Sequence, residues 1–258
     1  MTRRTFPAAL AAGALAGQTS AERPSIFEIR TIHLRNTLDN QRQRLLDFLE
    51  RTTLPAFARA GIGPAGCFAG SIAEEMPFVL AITSYASMAA MEERRAALNA
   101  DAEYRKALDA FNAQPGLNFD RIDSSLLRGF SAFPHIDVPP TPERGTPARL
   151  FELRRYESNN SSTLARKIHM FESGEIAIFK RLGMRPVFFG EMVVGARMPN
   201  LVYMLMFDDM ATREKAWRAF GSDPEWQKMR AMPGFSDAEI VSTISVSFLQ
   251  PLGFSPIR

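Results

Sequence analysis

The chain is short of nearly every residue type that builds a metal or covalent site. One cysteine, Cys67, in 258 residues excludes an internal disulfide and any cysteine-only metal cluster. The three histidines, His33, His135 and His169, lie too far apart for a short metal motif. Charge is nearly balanced, with 31 Lys and Arg against 28 Asp and Glu for a net +3. No basic run stands out, so nucleic acid is not an expected partner. There is no glycine-rich phosphate loop and no nucleophile–base pair. The longest apolar stretch near the N-terminus, Ala8 to Ala16, falls well short of the roughly 20 residues that cross a bilayer, so no transmembrane span is expected. Disorder is excluded as well, because 46% of the chain is hydrophobic.

Residues 1–21 contain Arg3 and Arg4 and no acid, followed by that apolar stretch. The pattern matches a twin-arginine export signal, which would place the mature protein in the periplasm or outside the cell. A cytosolic tail and an organellar transit peptide are the other readings, with cytoplasmic or mitochondrial residence.

An internal repeat dominates the rest. A shift of 122 residues aligns Leu54–Tyr104 with Ile176–Trp226 without a gap, and twelve of the fifty-one positions are identical, among them Gly61/Gly183, Pro64/Pro186, Met76/Met198 and Asp101/Asp223. Phe27-Glu28-Ile29-Arg30 matches Phe151-Glu152-Leu153-Arg154 at a shift of 124. Residues 25–133 and 149–258 therefore form two copies of one domain, joined by a proline-rich linker at 134–148. Each copy reads as strand, helix, two strands, helix, strand. Ile26–Arg35 and Leu150–Glu157 alternate as strands. Leu164, Ile168, Phe171, Glu175, Phe179 and Leu182 form a helical stripe, as do Leu38, Leu45, Leu49 and Phe57. Gly61 and Gly183 end those helices, and Ser87, Asp209 and Asp223 cap the following ones. The predicted fold is α+β: two tandem ferredoxin-like β-α-β-β-α-β units closing into one pseudo-symmetric barrel of eight strands.

Phe151-Glu152-Leu153-Arg154-Arg155-Tyr156, followed by Arg213-Glu214-Lys215-Ala216-Trp217 and Ser222-Asp223-Pro224-Glu225-Trp226, resembles the NIPSNAP family. The first copy departs from the pattern at Ile32, where the second has Tyr156, and at Tyr104, where it has Trp226. The resemblance implies the dimeric α+β barrel superfamily, which also holds cofactor-free monooxygenases and haem proteins. It implies no settled activity, and animal members are linked to mitochondria and to vesicle or adaptor roles.

Strand alternation puts Phe27 and Ile29 on one face and Glu28, Arg30 and Ile32 on the other. In the second copy Phe151 and Leu153 oppose Glu152, Arg154 and Tyr156. The expectation is that the apolar set faces helices and the charged set the lumen, where Glu28, Arg30, Glu152, Arg154 and Tyr156 would line a site for a small, partly apolar molecule. Structural ion pairs and a packed tyrosine are the competing roles. A solid barrel serving as an interaction module is a second functional class. A haem barrel using His169 or His33 is a third, although no cofactor is expected. Met192, Met204 and Met206 read as an adaptable apolar wall or as core filler, and further homo-oligomerisation stays open.

Overall fold

The computed structural model describes residues 22–143 and 145–258; the predicted export segment at 1–21 lies outside them. The first copy runs β1 (Ile26–His33), α1 (Gln41–Phe48), a π turn (Leu49–Thr53), α2 (Leu54–Ala60), β2 (Ala65–Ile72), β3 (Phe78–Tyr85), α3 (Met88–Ala100), α4 (Ala102–Asn112) and β4 (Arg121–Gly129). The second repeats it: β5 (Leu150–Glu157), α5 (Ser161–Met170), a π turn (Phe171–Glu175), α6 (Ile176–Arg181), β6 (Arg185–Val194), β7 (Asn200–Phe207), α7 (Met210–Ser222), α8 (Pro224–Arg230), a short α9 (Asp237–Ile240) and β8 (Thr243–Pro251).

The local signals act as their chemistry dictates. Gly61 and Gly183 take left-handed backbone, φ 67° and 79°, which costs glycine nothing. The side chains of Ser87, Asp101, Asp209 and Asp223 each accept a backbone N–H in the first turn of the following helix, satisfying donors that a helix start leaves unpaired. One expectation shifts: Leu38 precedes its helix and is exposed.

The strands close into a barrel in the order β1-β3-β2-β8-β5-β7-β6-β4, every neighbouring pair antiparallel. The copies join edge to edge, β2 on β8 and β4 on β6, which removes exposed strand edges. Phe27, Ile29, Phe68, Leu80, Leu127, Phe151, Phe188, Val202 and Leu249 meet inside, so all eight strands fill the lumen with apolar side chains. Met192, Met204 and Met206 belong to that wall. Ile136 of the linker and Ile257 of the C-terminal segment pack on the same cluster.

The expected facing is therefore inverted. Phe27, Ile29, Phe151 and Leu153 point into the lumen; Glu28, Arg30, Glu152, Arg154 and Tyr156 lie between sheet and helices, where Glu28 and Glu152 bond to side chains of α3 and α7. Alternation sorts residues into two sets but does not say which is inside. An eight-stranded barrel is just wide enough for side chains to fill it, so its deep layers exclude counter-charges, whereas amphipathic helices bring Arg95, Arg213 and Trp217 to the acids.

Candidate functional site

The sheet–helix layer of the second copy is solid. Glu152 is fully buried and both oxygens are used: Oε1 accepts from Arg154 (2.6 Å) and Arg213 (2.9 Å), Oε2 from Arg213 Nε and the Trp217 indole, each 2.9 Å away. Burial opposes the charge, but those donors hold the carboxyl below its ordinary value. The Arg154 guanidinium also lies over Trp217, 4.4 Å from the ring centroid. Tyr156 is packed, its hydroxyl accepting from Tyr203 at 2.9 Å. Phe189 stacks on Tyr203 at 5.3 Å, and Phe171 closes on the same ring at 5.2 Å.

The π turn bends one more polar group inward. Glu175, within the apolar stripe, meets Lys167 Nζ at 3.1 Å, and both residues are 1% exposed. Burial works against both charges, pushing the Glu175 carboxyl upward, while Glu175, Tyr156 and Asp237 hold the Lys167 ammonium charged. The ammonium also faces the rings of Tyr156, Phe171 and Trp226.

The first copy keeps the carboxylate and loses the plug. Glu28 is 3% exposed and Oε1 accepts from Arg95 (2.5 Å), Arg30 (2.8 Å) and Ser124 (2.8 Å). Oε2 has no bonding partner among the described residues. Burial opposes ionisation here too, and the Arg30 charge together with the hydrogen bonds from Arg95, Arg30 and Ser124 holds the group below its ordinary range. Where the second copy has the cross-strand pair Phe189 and Tyr203, the first has Cys67 and Ala81. Phe171 and Tyr156 are matched by Leu49 and Ile32. A cavity of about 80 Å³ results, lined by Glu28, Cys67, Ala81, Leu49 and Phe57, with Arg30 and Arg95 half-exposed. Thr53, the π-turn counterpart of Glu175, also lines it, and its buried Oγ1 has no hydrogen-bond partner. π turns inside α-helices recur at functional sites.

Burial pushes the Cys67 thiol up to about 12, so little thiolate forms near neutrality. Cys67 is expected to resist iodoacetamide at pH 7.5 in the folded protein and to react on denaturation. Rapid alkylation of native protein would show that the cavity opens wide to solvent.

The histidines do not fit a haem. His33 stands on a lumen strand, its Nε2 2.8 Å from Asp123 and Nδ1 3.5 Å from Glu75, and His169 is exposed beside Phe235. Neither lines the sheet–helix cavity, whose volume of about 80 Å³ is far below what a macrocycle needs, and His33, which borders the barrel mouth, has both ring nitrogens turned to carboxylates. Among the described residues no three His, Cys, Asp or Glu side chains are grouped to hold a metal ion, and no helix is long and apolar enough to cross a membrane.

Of the sequence candidates, Glu28 and Arg30 reach a cavity, while Glu152, Arg154 and Tyr156 are consumed in packing. Cys67, Ala81 and Thr53 had no motif to announce them. A comparison of side-chain size between the repeats is the signal that finds them.

No curated protein matches the chain. Among solved structures, a candidate monooxygenase from Fusobacterium nucleatum shares 8% identity at a TM-score of 0.57, covering 89% of this chain and 93% of its own. A second candidate monooxygenase, from Lactobacillus acidophilus NCFM, gives 10%, 0.58, 88% and 94%. An anthrone oxidase-like protein gives 11%, 0.50, 90% and 93%. At these identities the likeness shows a shared α+β barrel fold. The NIPSNAP family profile matches residues 27–132 and again 151–256, and the chain accordingly belongs to the NIPSNAP family, as two such domains in tandem.

Proposed function

We propose that the protein binds a small, partly apolar molecule bearing a hydroxyl group in the sheet–helix cavity of its first copy. The observation that carries this reading is the position-by-position contrast between the copies. The buried carboxylate is retained at Glu28 and Glu152, but the aromatic plug of Phe189, Tyr203, Phe171 and Tyr156 becomes Cys67, Ala81, Leu49 and Ile32. The spare Glu28 oxygen would accept the ligand's hydroxyl, Thr53 would add a second polar contact, and Cys67, Ala81 and Phe57 would hold the hydrocarbon part. An engineered apolar cavity of about 150 Å³ takes benzene, so a space of about 80 Å³ suits a smaller molecule. The names of the three barrel neighbours favour oxidative chemistry, but Glu28, flanked by guanidiniums and held ionised, is suited to accepting hydrogen bonds and is a poor base. The reading therefore stays at binding. The filled second copy favours a scaffold role for that half.

The test is a titration with straight-chain alcohols from methanol to hexanol, followed by amide NMR of the β2 and β3 signals. Saturable shifts with millimolar affinity are expected, strongest at about three or four carbons, since tiny ligands gain at most about 1.5 kcal/mol per heavy atom. Cys67→Phe, which restores the second copy's residue, should abolish them. Glu28→Gln should weaken them about tenfold. Shifts that never saturate, or that persist in Cys67→Phe, would overturn the reading.

A further inference from the structure

The second void lies at one end of the barrel itself. A cavity of about 490 Å³ opens there, within the usual range of ligand pockets, ~300–1,000 Å³. Along β1 and β5 the lumen-facing residues come in matched layers: Phe27 with Phe151, then Ile29 with Leu153, then Thr31 with Arg155. The first layer is packed shut. The second forms an apolar floor with Leu80, Met192 and Val202. The third places a guanidinium directly above that floor.

Arg155 is unlike the other basic groups at or beside the mouth. His33 is bound to Asp123 and Glu75, Arg121 to Glu75, and Arg197 lies 3.5 Å from Glu74 and 3.8 Å from Glu157. Each of these groups has an acidic partner. Arg155 forms no ion pair among the described residues, its Nε is buried, and that atom meets no acceptor. Burial and the nearby Arg197 charge both weigh against its proton, with Glu157 opposing only in part. An unpaired cation half-sunk in an apolar wall is destabilising unless an anion joins it, and a guanidinium presents parallel N–H donors matched to a carboxylate. At the pseudo-equivalent position the first copy has Thr31, so among the described residues the mouth holds one such cation.

We infer that the open end of the barrel is a second binding site, specific for a small amphiphilic carboxylate whose head group pairs with Arg155 and whose hydrocarbon tail lies on Ile29, Leu80, Leu153, Met192 and Val202. The site is separate from the sheet–helix cavity, on the opposite face of the sheet, and takes a ligand of opposite polarity demand: an acceptor here, a donor there.

Isothermal titration of the full chain with sodium octanoate tests it. Saturable binding is expected, with octanol at least about tenfold weaker and acetate weaker still because it leaves the apolar floor uncovered. Arg155→Met should lose octanoate affinity by at least the same factor while unfolding no earlier than the parent, since it removes an unpaired, partly buried charge. Cys67→Phe should leave octanoate binding unchanged, which separates this site from the first. Equal binding of octanol and octanoate, full octanoate affinity in Arg155→Met, loss of octanoate binding in Cys67→Phe, or no saturable heat up to about 10 mM would each overturn the assignment. The octanol comparison needs no variant, so the test stands even if the substitution disturbs folding.

Discussion

Lys167→Met is expected to lower the stability of the fold by about 3–5 kcal/mol, the range for removing one partner of a buried ion pair. The methionine fills the aliphatic volume, so lost packing contributes little. The penalty comes from Glu175, which keeps its place in the π turn at 1% exposure with no other cation at bonding distance among the described residues. The matching double variant, Lys167→Met with Glu175→Leu, removes both charges and should recover most of the loss, because well-packed apolar residues replace buried pairs at little or no net cost. Urea titrations of the parent, both single variants and the double variant give the coupling directly. If Lys167→Met unfolds with the parent, Glu175 is neutral in the folded state and the pair is not ionic.

Glu152→Leu should cost a similar amount, about 3–5 kcal/mol, for a different reason. Here the carboxylate is the hub. Without it, two guanidiniums whose side chains are 12% and 20% exposed face each other, and the Trp217 indole N–H loses its acceptor. The effect should depend on pH with a defined sign. The folded carboxyl is held below the ordinary 4.5, so the unfolded chain takes up the proton first as the pH falls. The group's contribution is complete above the unfolded value and is lost as the pH drops through the folded one. The stability gap between parent and Glu152→Leu should therefore be constant near neutrality and narrow below pH 4.5. A gap that widens on acidification would mean that the folded carboxyl titrates above its ordinary value.

These two expectations show how far the sequence could be read. Glu152 and Arg154 were visible as a repeated pair, and the repeat, caps and terminal glycines placed the elements around them. Their direction was not visible. Both faces of a barrel strand can be buried, and the choice between them depends on the curvature of the closed sheet and on what the helices bring, which is information from residues 60 or more positions away, such as Arg213 and Trp217. Glu175 was legible as a misfit in an apolar stripe. Lys167 was not, because a lysine on a helix is ordinarily solvated. Arg155 carries no repeat signal, because the first copy has Thr31 at the equivalent position. The cavities were the least legible feature, since a void is defined by what its lining lacks.

The edge-to-edge joining of the copies has one last consequence. In a barrel assembled from two identical chains, symmetry would impose every substitution on both halves at once, and an enlarged pocket on one side would hollow the other and weaken the whole twice over. Covalent fusion lifts that constraint. Cys67 can stand opposite Phe189, Thr31 opposite Arg155 and Glu75 opposite Arg197, so one half keeps the density that holds the molecule together and leaves its sibling free to be emptied.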